Sequence, residues 1–409
     1  MKAERKFPFV IITPKAEASV KKGHPWVYGV EITGTSGEIE NGSLTDVFSK
    51  KGSWLGTGFY SEKSKIKVRI LSDNANEKFG DAFFERRVRY AVEYRKTVMG
   101  SDFSCCRLIF GEADGLPGLT VDRFGDILVA QVLSYGMERI KGTVFASLVR
   151  ILREYGEEIN GVYERNDVAI RELEGLEQFK GWYELEGVEH PTETVTEIIE
   201  NGIRYSVDFE NGQKTGFFLD QKYNRLAVAS IAQGKTVLDC FTHTGSFALN
   251  AAIGGAAHVT AVDVSADAIE MAKENASANG LDGNMDFLTA DVFDLLPALE
   301  KEKSRKYDFI ILDPPAFTKS RKTLHNAEKG YKEINYRAMK LLPRGGYLAT
   351  CSCSHFMKNE LFVKMLMSAA ADAGVQLKQI EVRQQCRDHP VLWNVPETDY
   401  LKFYIFQVV

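Results

Sequence analysis

The chain has 409 residues, of which 44% are hydrophobic, and a formal net charge of −5. Its length predicts two or three domains rather than one. There is no run of about 18 apolar residues, so no membrane-spanning helix is expected. The N-terminal stretch Met1–Pro8 lacks the apolar core of a secretory leader, and a cytoplasmic protein is expected. The cysteines at 105, 106, 240, 351, 353 and 386 are too sparse for a disulfide framework. They also lack paired C-x-x-C spacing, so no metal site is expected. Residues 1–75 hold twelve Lys or Arg against eight Asp or Glu, a local +4 on a chain whose remaining 334 residues carry −9. A basic module on an acidic body suits a segment that touches phosphates.

Residues 1 to about 72 read as short strands and turns, a small β barrel or sandwich. Phe9–Thr13 is an apolar strand that Pro14 ends, and Gly23–Gly29 is turn chemistry carrying aromatics. Leu44–Phe48, Trp54–Tyr60 and Ile66–Ile70 follow at strand spacing. Lys21, Lys22, Lys63, Lys65 and Lys67 form a basic rim in this reading, and Trp26, Tyr28, Trp54 and Tyr60 belong to the core. From Asp81 the apolar spacing becomes helical. A Gly-, Pro- and acid-rich segment, Arg107–Gly125, opens a mixed α/β middle domain over residues 76–200. That domain has strands at 127–132 and 161–165 and a helix at 137–154.

Residues 203–409 alternate strand and helix, which predicts a mainly parallel sheet. Strands are expected at 236–239, 258–263, 285–289, 307–312, 346–351, 375–382 and 400–408. The first strand runs into a tight turn at Gly245 and a helix opening near Ser246, and the second ends in Asp263. A glycine turn lets a ligand approach the backbone, and an acid at the next strand end accepts ribose hydroxyls. One glycine instead of three argues against a pyrophosphate. An adenosine ligand with a small tail, such as S-adenosylmethionine, fits better. Asp239, Asp263 and Asp291 lie at successive strand ends, where Asp263 would hold the ribose, Asp291 the adenine amino group and Asp239 the region under the methionine portion. Ser265 is the expected cap of the next helix, which buries Ile269, Ala272 and Ala276.

The fourth strand ends in Asp313-Pro314-Pro315-Ala316-Phe317. Two prolines after an apolar strand stop pairing and hold Asp313 rigidly at the sheet's carboxyl edge. The pattern is similar to the substrate loop of nucleobase methyltransferases, in which the carboxylate meets the base edge and an aromatic stacks on it. The fifth strand ends in Thr350-Cys351-Ser352-Cys353-Ser354. A cysteine adding to carbon 6 of a pyrimidine makes carbon 5 nucleophilic enough to take a methyl group. Strand alternation puts both cysteines on one face. Cys351 falls last in the ladder and Cys353 just beyond it, so Cys353 is the expected nucleophile and Asp313 its partner on the base.

Over nearly its full length the chain resembles the bacterial 23S ribosomal RNA cytosine-5 methyltransferase family with an N-terminal PUA domain. The resemblance rests on Gly23-His-Pro-Trp26, Gly111–Asp122, Gln213–Gln221, Asp239–Phe247, Asp313–Phe317, Ser352-Cys-Ser354, Asp388-His-Pro390 and Tyr400-Leu-Lys402. It implies an α/β architecture: a C-terminal Rossmann-like class I methyltransferase domain at 203–409 with a seven-stranded, mainly parallel sheet, a PUA-like RNA-binding β-barrel at 1–72, and the middle domain. It implies S-adenosylmethionine as cofactor, held by Gln213, Lys214, Thr215, Asp220, Asp239, Phe241, Thr244, Gly245, Asp263 and Asp291. Cys353 and Asp313 would be catalytic, with Pro314, Pro315 and Phe317 contacting the base. The expected partner is ribosomal RNA, with no membrane and a homodimer left open. Better-known RNA cytosine-5 enzymes place a second cysteine where this chain has Ala316. A guanine or exocyclic-amine methyltransferase and a catalytically inactive RNA-binding protein are the competing readings.

Overall fold

The structure is a computed structural model, and it describes residues 7–302, 307–318 and 320–409. The first six residues of the stretch read for a leader lie outside the described residues. Two compact units emerge. The first holds the chain up to Ile198 together with Val207–Leu219 and Arg387–Thr398; the second holds Ile199–Ser206, Asp220–Cys386 and Asp399–Val409.

In the first unit a six-stranded sheet runs in the order Trp26–Tyr28, Ile66–Ser72, Trp54–Tyr60, Leu44–Ser49, Phe9–Ile12, Ile32–Thr35. Val10, Ile12, Val27, Val47 and Val68 form its fully buried core. Two readings of this segment need correction. Pro14 does not merely end a strand but begins a helix, Pro14–Lys21, whose first turn is capped by the Thr13 hydroxyl accepting from Ala16 N. Proline lacks only a donor that the first helical turn leaves unused, so it suits that position. The Gly23–Gly29 stretch is also more than a turn, since Trp26–Tyr28 is a strand paired with Ile66–Arg69. Trp26 and Trp54 are half-buried, their indole N–H groups donating to Glu112 Oε1 and Asp46 Oδ1. Lys21, Lys22, Lys63 and Lys65 are exposed and Lys67 half-buried.

A five-stranded sheet follows, ordered Lys180–Trp182, Gly161–Arg165, Ile127–Val132, Leu119–Phe124, Cys105–Phe110. The helices Asp81–Met99 and Tyr135–Glu154 accompany it. Residues 207–219 and 387–398 group with this unit, although sequence spacing placed them with the C-terminal sheet. Side chains explain the grouping. Arg95 Nη2 donates to Asp388 O at 2.8 Å, Arg107 N to Asp388 Oδ2 at 2.8 Å, and Arg165 Nη1 to Phe209 O at 2.7 Å.

The second unit is built on seven strands among the described residues: β1 (Thr236–Cys240), β2 (His258–Asp263), β3 (Met285–Thr289), β4 (Phe309–Leu312), β5 (Tyr347–Ser352), β6 (Leu377–Arg383) and β7 (Lys402–Val408). Their order is β3-β2-β1-β4-β5-β7-β6, parallel except for β7, which runs antiparallel to both neighbours. The helices that accompany the sheet are α1 (Lys222–Ala229), α2 (Ser246–Ile253), α3 (Ala266–Ala278), α4 (Val292–Lys301), α5 (Leu324–Leu341) and α6 (Asn359–Ala373). Strands buried on both faces need continuous apolar runs, and Phe309-Ile-Ile-Leu312 is one. The helix after β2 begins where expected, with the Ser265 hydroxyl accepting from Ala268 N and Ile269, Ala272 and Ala276 buried. Among the described residues no helix is long and apolar enough to cross a membrane.

Arg225 of α1 and Glu200 are both fully buried and form a two-point ion pair, at 2.6 and 3.0 Å. Removing one partner of such a pair strands the other charge and costs roughly 3–5 kcal/mol. Arg225→Met is therefore expected to lower urea-unfolding stability by about that amount, and adding Glu200→Leu should recover most of it. A loss below about 1 kcal/mol in the single variant would contradict this assignment.

Candidate functional site

The parallel register places the site. Cys240, the last residue of β1, is level with Leu312 of β4, and Leu312 is level with Thr350 of β5. The next residue on β4 is Asp313 and the next on β5 is Cys351, so the two meet at the carboxyl edge. Cys351 Sγ lies 2.9 Å from Asp313 Oδ1 and 3.3 Å from Leu312 O. Gln221 Nε2 donates to Asp313 Oδ1 at 3.1 Å, and Gln221 Oε1 in turn accepts from Asn224 Nδ2 at 2.7 Å. The Cys351 thiol is held well above its usual range, first by burial and then by the Asp313 charge beside it. Asp313 is itself pushed up to about 6, chiefly by removal from water, with the Cys351 hydrogen bond opposing.

Cys353 lies one residue past the end of β5 and is half-buried, whereas the other five cysteines are buried. Its Sγ is 4.0 Å from Pro314 O of the Asp-Pro-Pro loop. Pro315 is exposed. Phe317 is half-buried against Tyr331 (centroids 4.6 Å apart) and Phe293 (5.7 Å), so it anchors this loop to the core.

The turn after β1 is strained. Phe241 and His243 both hold positive φ, +67° and +50°, a cost on the order of 1–3 kcal/mol each that clusters at functional sites. Gly245 has φ +83°, and a β-carbon there would sit 3.0 Å from that of Ala272. The backbone N–H of His243 reaches Asp263 Oδ2 at 2.9 Å and that of Ser265 reaches Oδ1 at 3.0 Å, which fixes the Asp263 carboxylate at the end of β2. Asn275 Nδ2 donates to Thr244 O at 3.1 Å and steadies the turn from α3.

Asp239 is the penultimate residue of β1 and fully buried, deeper than a strand-end loop acid. Burial pushes it up to about 8; the Thr242 hydroxyl opposes this, and the charges of Asp313 and Asp263 add to it. Asp239 Oδ1 and Thr244 Oγ1 are buried without a hydrogen-bond partner. Two orphaned oxygens, a glycine turn that no side chain fills and a fixed acid beyond it suit a ligand with an ammonium and a ribose. Asp291 is exposed and caps α4, its Oδ1 accepting from Phe293 N at 2.8 Å. Asp220 is buried, and Tyr400 Oη donates to its Oδ2 at 2.6 Å.

Gln213, Lys214 and Thr215 belong to the first unit. Gln213 and Lys214 are exposed there, Lys214 with φ +54°. Thr215 is buried, and its hydroxyl donates to Asp122 Oδ2 at 2.6 Å, on a carboxylate that Arg107 also grips at two points. Gln221 and Lys402 lie in stretches that carry the family resemblance, but sequence reasoning gave neither of them a role at the site. Among the described residues no cluster of His, Cys, Asp and Glu could hold a metal ion.

Comparisons with known proteins bear on the family and the fold. The S-adenosylmethionine-dependent methyltransferase family matches residues 181–397, and a PUA-like domain matches residues 10–73. The ribosomal RNA large subunit methyltransferase I of Klebsiella pneumoniae is 38% identical over 405 residues, covering 98% of this chain and 99% of that protein. The Aeromonas salmonicida protein of the same name is 41% identical over 396 residues, covering 96% and 98%. Among solved structures, a methyltransferase complexed with SAH superposes with a TM-score of 0.83 at 23% identity, covering 98% of this chain and 99% of that one, which shows a common fold. The cofactor is S-adenosylmethionine, and the chain belongs to the ribosomal RNA large subunit methyltransferase I family, S-adenosylmethionine-dependent enzymes with a PUA-like N-terminal domain.

Proposed function

We propose that this methyltransferase forms 5-methylcytidine in large-subunit ribosomal RNA through a transient covalent bond to Cys353. The observation that carries the reading is the position of Cys353: the one cysteine that is not buried, just past the carboxyl end of β5 and beside the Asp-Pro-Pro loop. Ligands of α/β sheets bind at that edge. S-adenosylmethionine supplies a methyl group on a positively charged sulfur, an electrophile that carbon 5 of an unactivated cytosine is too weak to attack. The Cys353 thiolate would add to carbon 6 and convert carbon 5 into an enamine-like nucleophile. Asp313, pushed up to about 6, can carry a proton near neutral pH and share it with cytosine N3 as the thiolate adds. Once carbon 5 carries the methyl group, loss of its proton re-forms the 5,6 double bond and expels the thiolate. Cys351, buried and bonded to Asp313, would hold that carboxyl group in place. The target base leaves its stack to reach this crevice.

Asp263 would accept the ribose hydroxyls over the Gly245 turn, with Asp239 beneath the methionine ammonium and Asp291 near adenine. Exposed lysines on the PUA-like module would supply affinity for RNA phosphates.

Three outcomes are expected. Losing charge-assisted ribose bonds costs roughly 1.5–3 kcal/mol each, so Asp263→Ala should weaken S-adenosylmethionine binding by more than about tenfold in calorimetry. Unchanged affinity would mean the ribose lies elsewhere. RNA carrying 5-fluorocytidine at the target should trap an enzyme–RNA adduct, because fluorine does not leave as a proton does. The adduct should vanish in Cys353→Ala and persist in Cys351→Ala; the reverse pattern moves the nucleophile, and no adduct at all points to another base. Replacing Lys21, Lys22, Lys63 and Lys65 together by glutamine should flatten the salt dependence of RNA affinity. The expected change is about 0.7–0.9 in log–log slope for each phosphate no longer neutralised. An unaltered slope would give the N-terminal module a different role.

A further inference from the structure

Lys402 opens β7, and its side chain is buried. Its backbone is paired with Ser352 of β5 in the antiparallel register. Its ammonium donates to Ser354 O at 2.7 Å and to Tyr400 O at 2.8 Å. These contacts bracket Cys353, with Ser352 on one side and Ser354 on the other. Both acceptors are neutral carbonyls, and among the described residues Nζ makes no ion pair with a carboxylate. Burying an ammonium is costly, and this one sits in the turn that carries a half-exposed thiol, under the charge of Asp399. Burial brings Lys402 down to about 8, while the charges of Asp399 and Cys353 act to raise it, so it stays largely protonated at neutral pH.

The Tyr331 phenol of α5 is kept neutral by burial, and so is the Cys351 thiol on the same strand. Asp313 faces Cys351 from β4 and is acidic. His355 follows two residues on and is half-buried.

We propose that Lys402 is a positioning residue for Cys353: its ammonium holds the Cys353 turn through the Ser354 carbonyl and supplies the positive charge that favours the thiolate. This rests on the reading of Cys353 as the nucleophile, but its test needs no RNA. Positive charge beside a thiol lowers its pKa from about 8.5. Because Cys353 is the one cysteine not buried, iodoacetamide alkylation of the full-length protein, with the site confirmed by peptide mass analysis, reads its thiolate fraction directly.

The wild-type rate should inflect below about pH 8.5. Lys402→Gln keeps an N–H donor without the charge and should move the inflection up by about one pH unit, roughly tenfold less thiolate at neutral pH. Lys402→Arg should keep the low inflection. A purely structural lysine would leave the inflection unmoved in folded Lys402→Gln, and that result overturns the proposal. A wild-type inflection at or above about 8.5 also overturns it, even if the glutamine variant fails to fold. Failure of the 5-fluorocytidine adduct with a normal Lys402 effect would instead overturn the cytosine-5 reading and leave the thiol's electrostatics standing.

Discussion

Leu312 is level with Cys240 on one side and Thr350 on the other, and the carboxyl edge of the sheet follows from that register. A parallel ladder shifted by two residues would still bury its apolar faces, but it would separate Asp313 from Cys351 by about 6–7 Å along the strand. In register, a carboxyl group, a buried thiol and the Gln221 amide share one small space. The prolines at 314 and 315 end the β4 ladder immediately afterwards, so Asp313 cannot be drawn back into the sheet.

Burial then sets the chemistry. The same carboxyl edge carries Asp239, pushed up to about 8, and Asp313, pushed up to about 6, while Asp263 is tied down by two backbone N–H groups. Three acids in one region acquire three characters from their surroundings. Asp239 retains its proton at neutral pH, Asp313 gains one only as the pH falls towards 6, and Asp263 is an anchored acceptor. The strained Phe241–Gly245 turn fits this division, since positive φ at Phe241 and His243 directs the His243 N–H onto Asp263.

Most strands of this sheet were legible because they are short runs rich in aliphatic, β-branched or aromatic residues that alternate with helical stretches. The observed ends fall within two residues of those expected, from 236–240 to 402–408. The Ser265 cap and the Gly245 turn were legible for similarly local reasons. What sequence reading missed is non-local or context-dependent. The helix at Pro14–Lys21 was hidden because proline stops one element and starts another with equal ease. The grouping of 387–398 with the first unit depends on bonds such as Arg107 N to Asp388 Oδ2, spanning 281 residues, that no window detects. Lys402 was marked only as part of the Tyr400-Leu-Lys402 stretch, and its place opposite Ser352 depends on the pairing of β5 with β7.

The central claim is that the crevice at the ends of β1, β2, β4 and β5 methylates carbon 5 of a cytosine in large-subunit ribosomal RNA. The most direct measurement is a map of 5-methylcytidine across that RNA from a strain lacking this gene and from its parent. One cytidine should lose its methyl group in the deletion strain and regain it when the gene is restored. An unchanged 5-methylcytidine map, with loss of a methylated guanine or exocyclic amine instead, would contradict the claim.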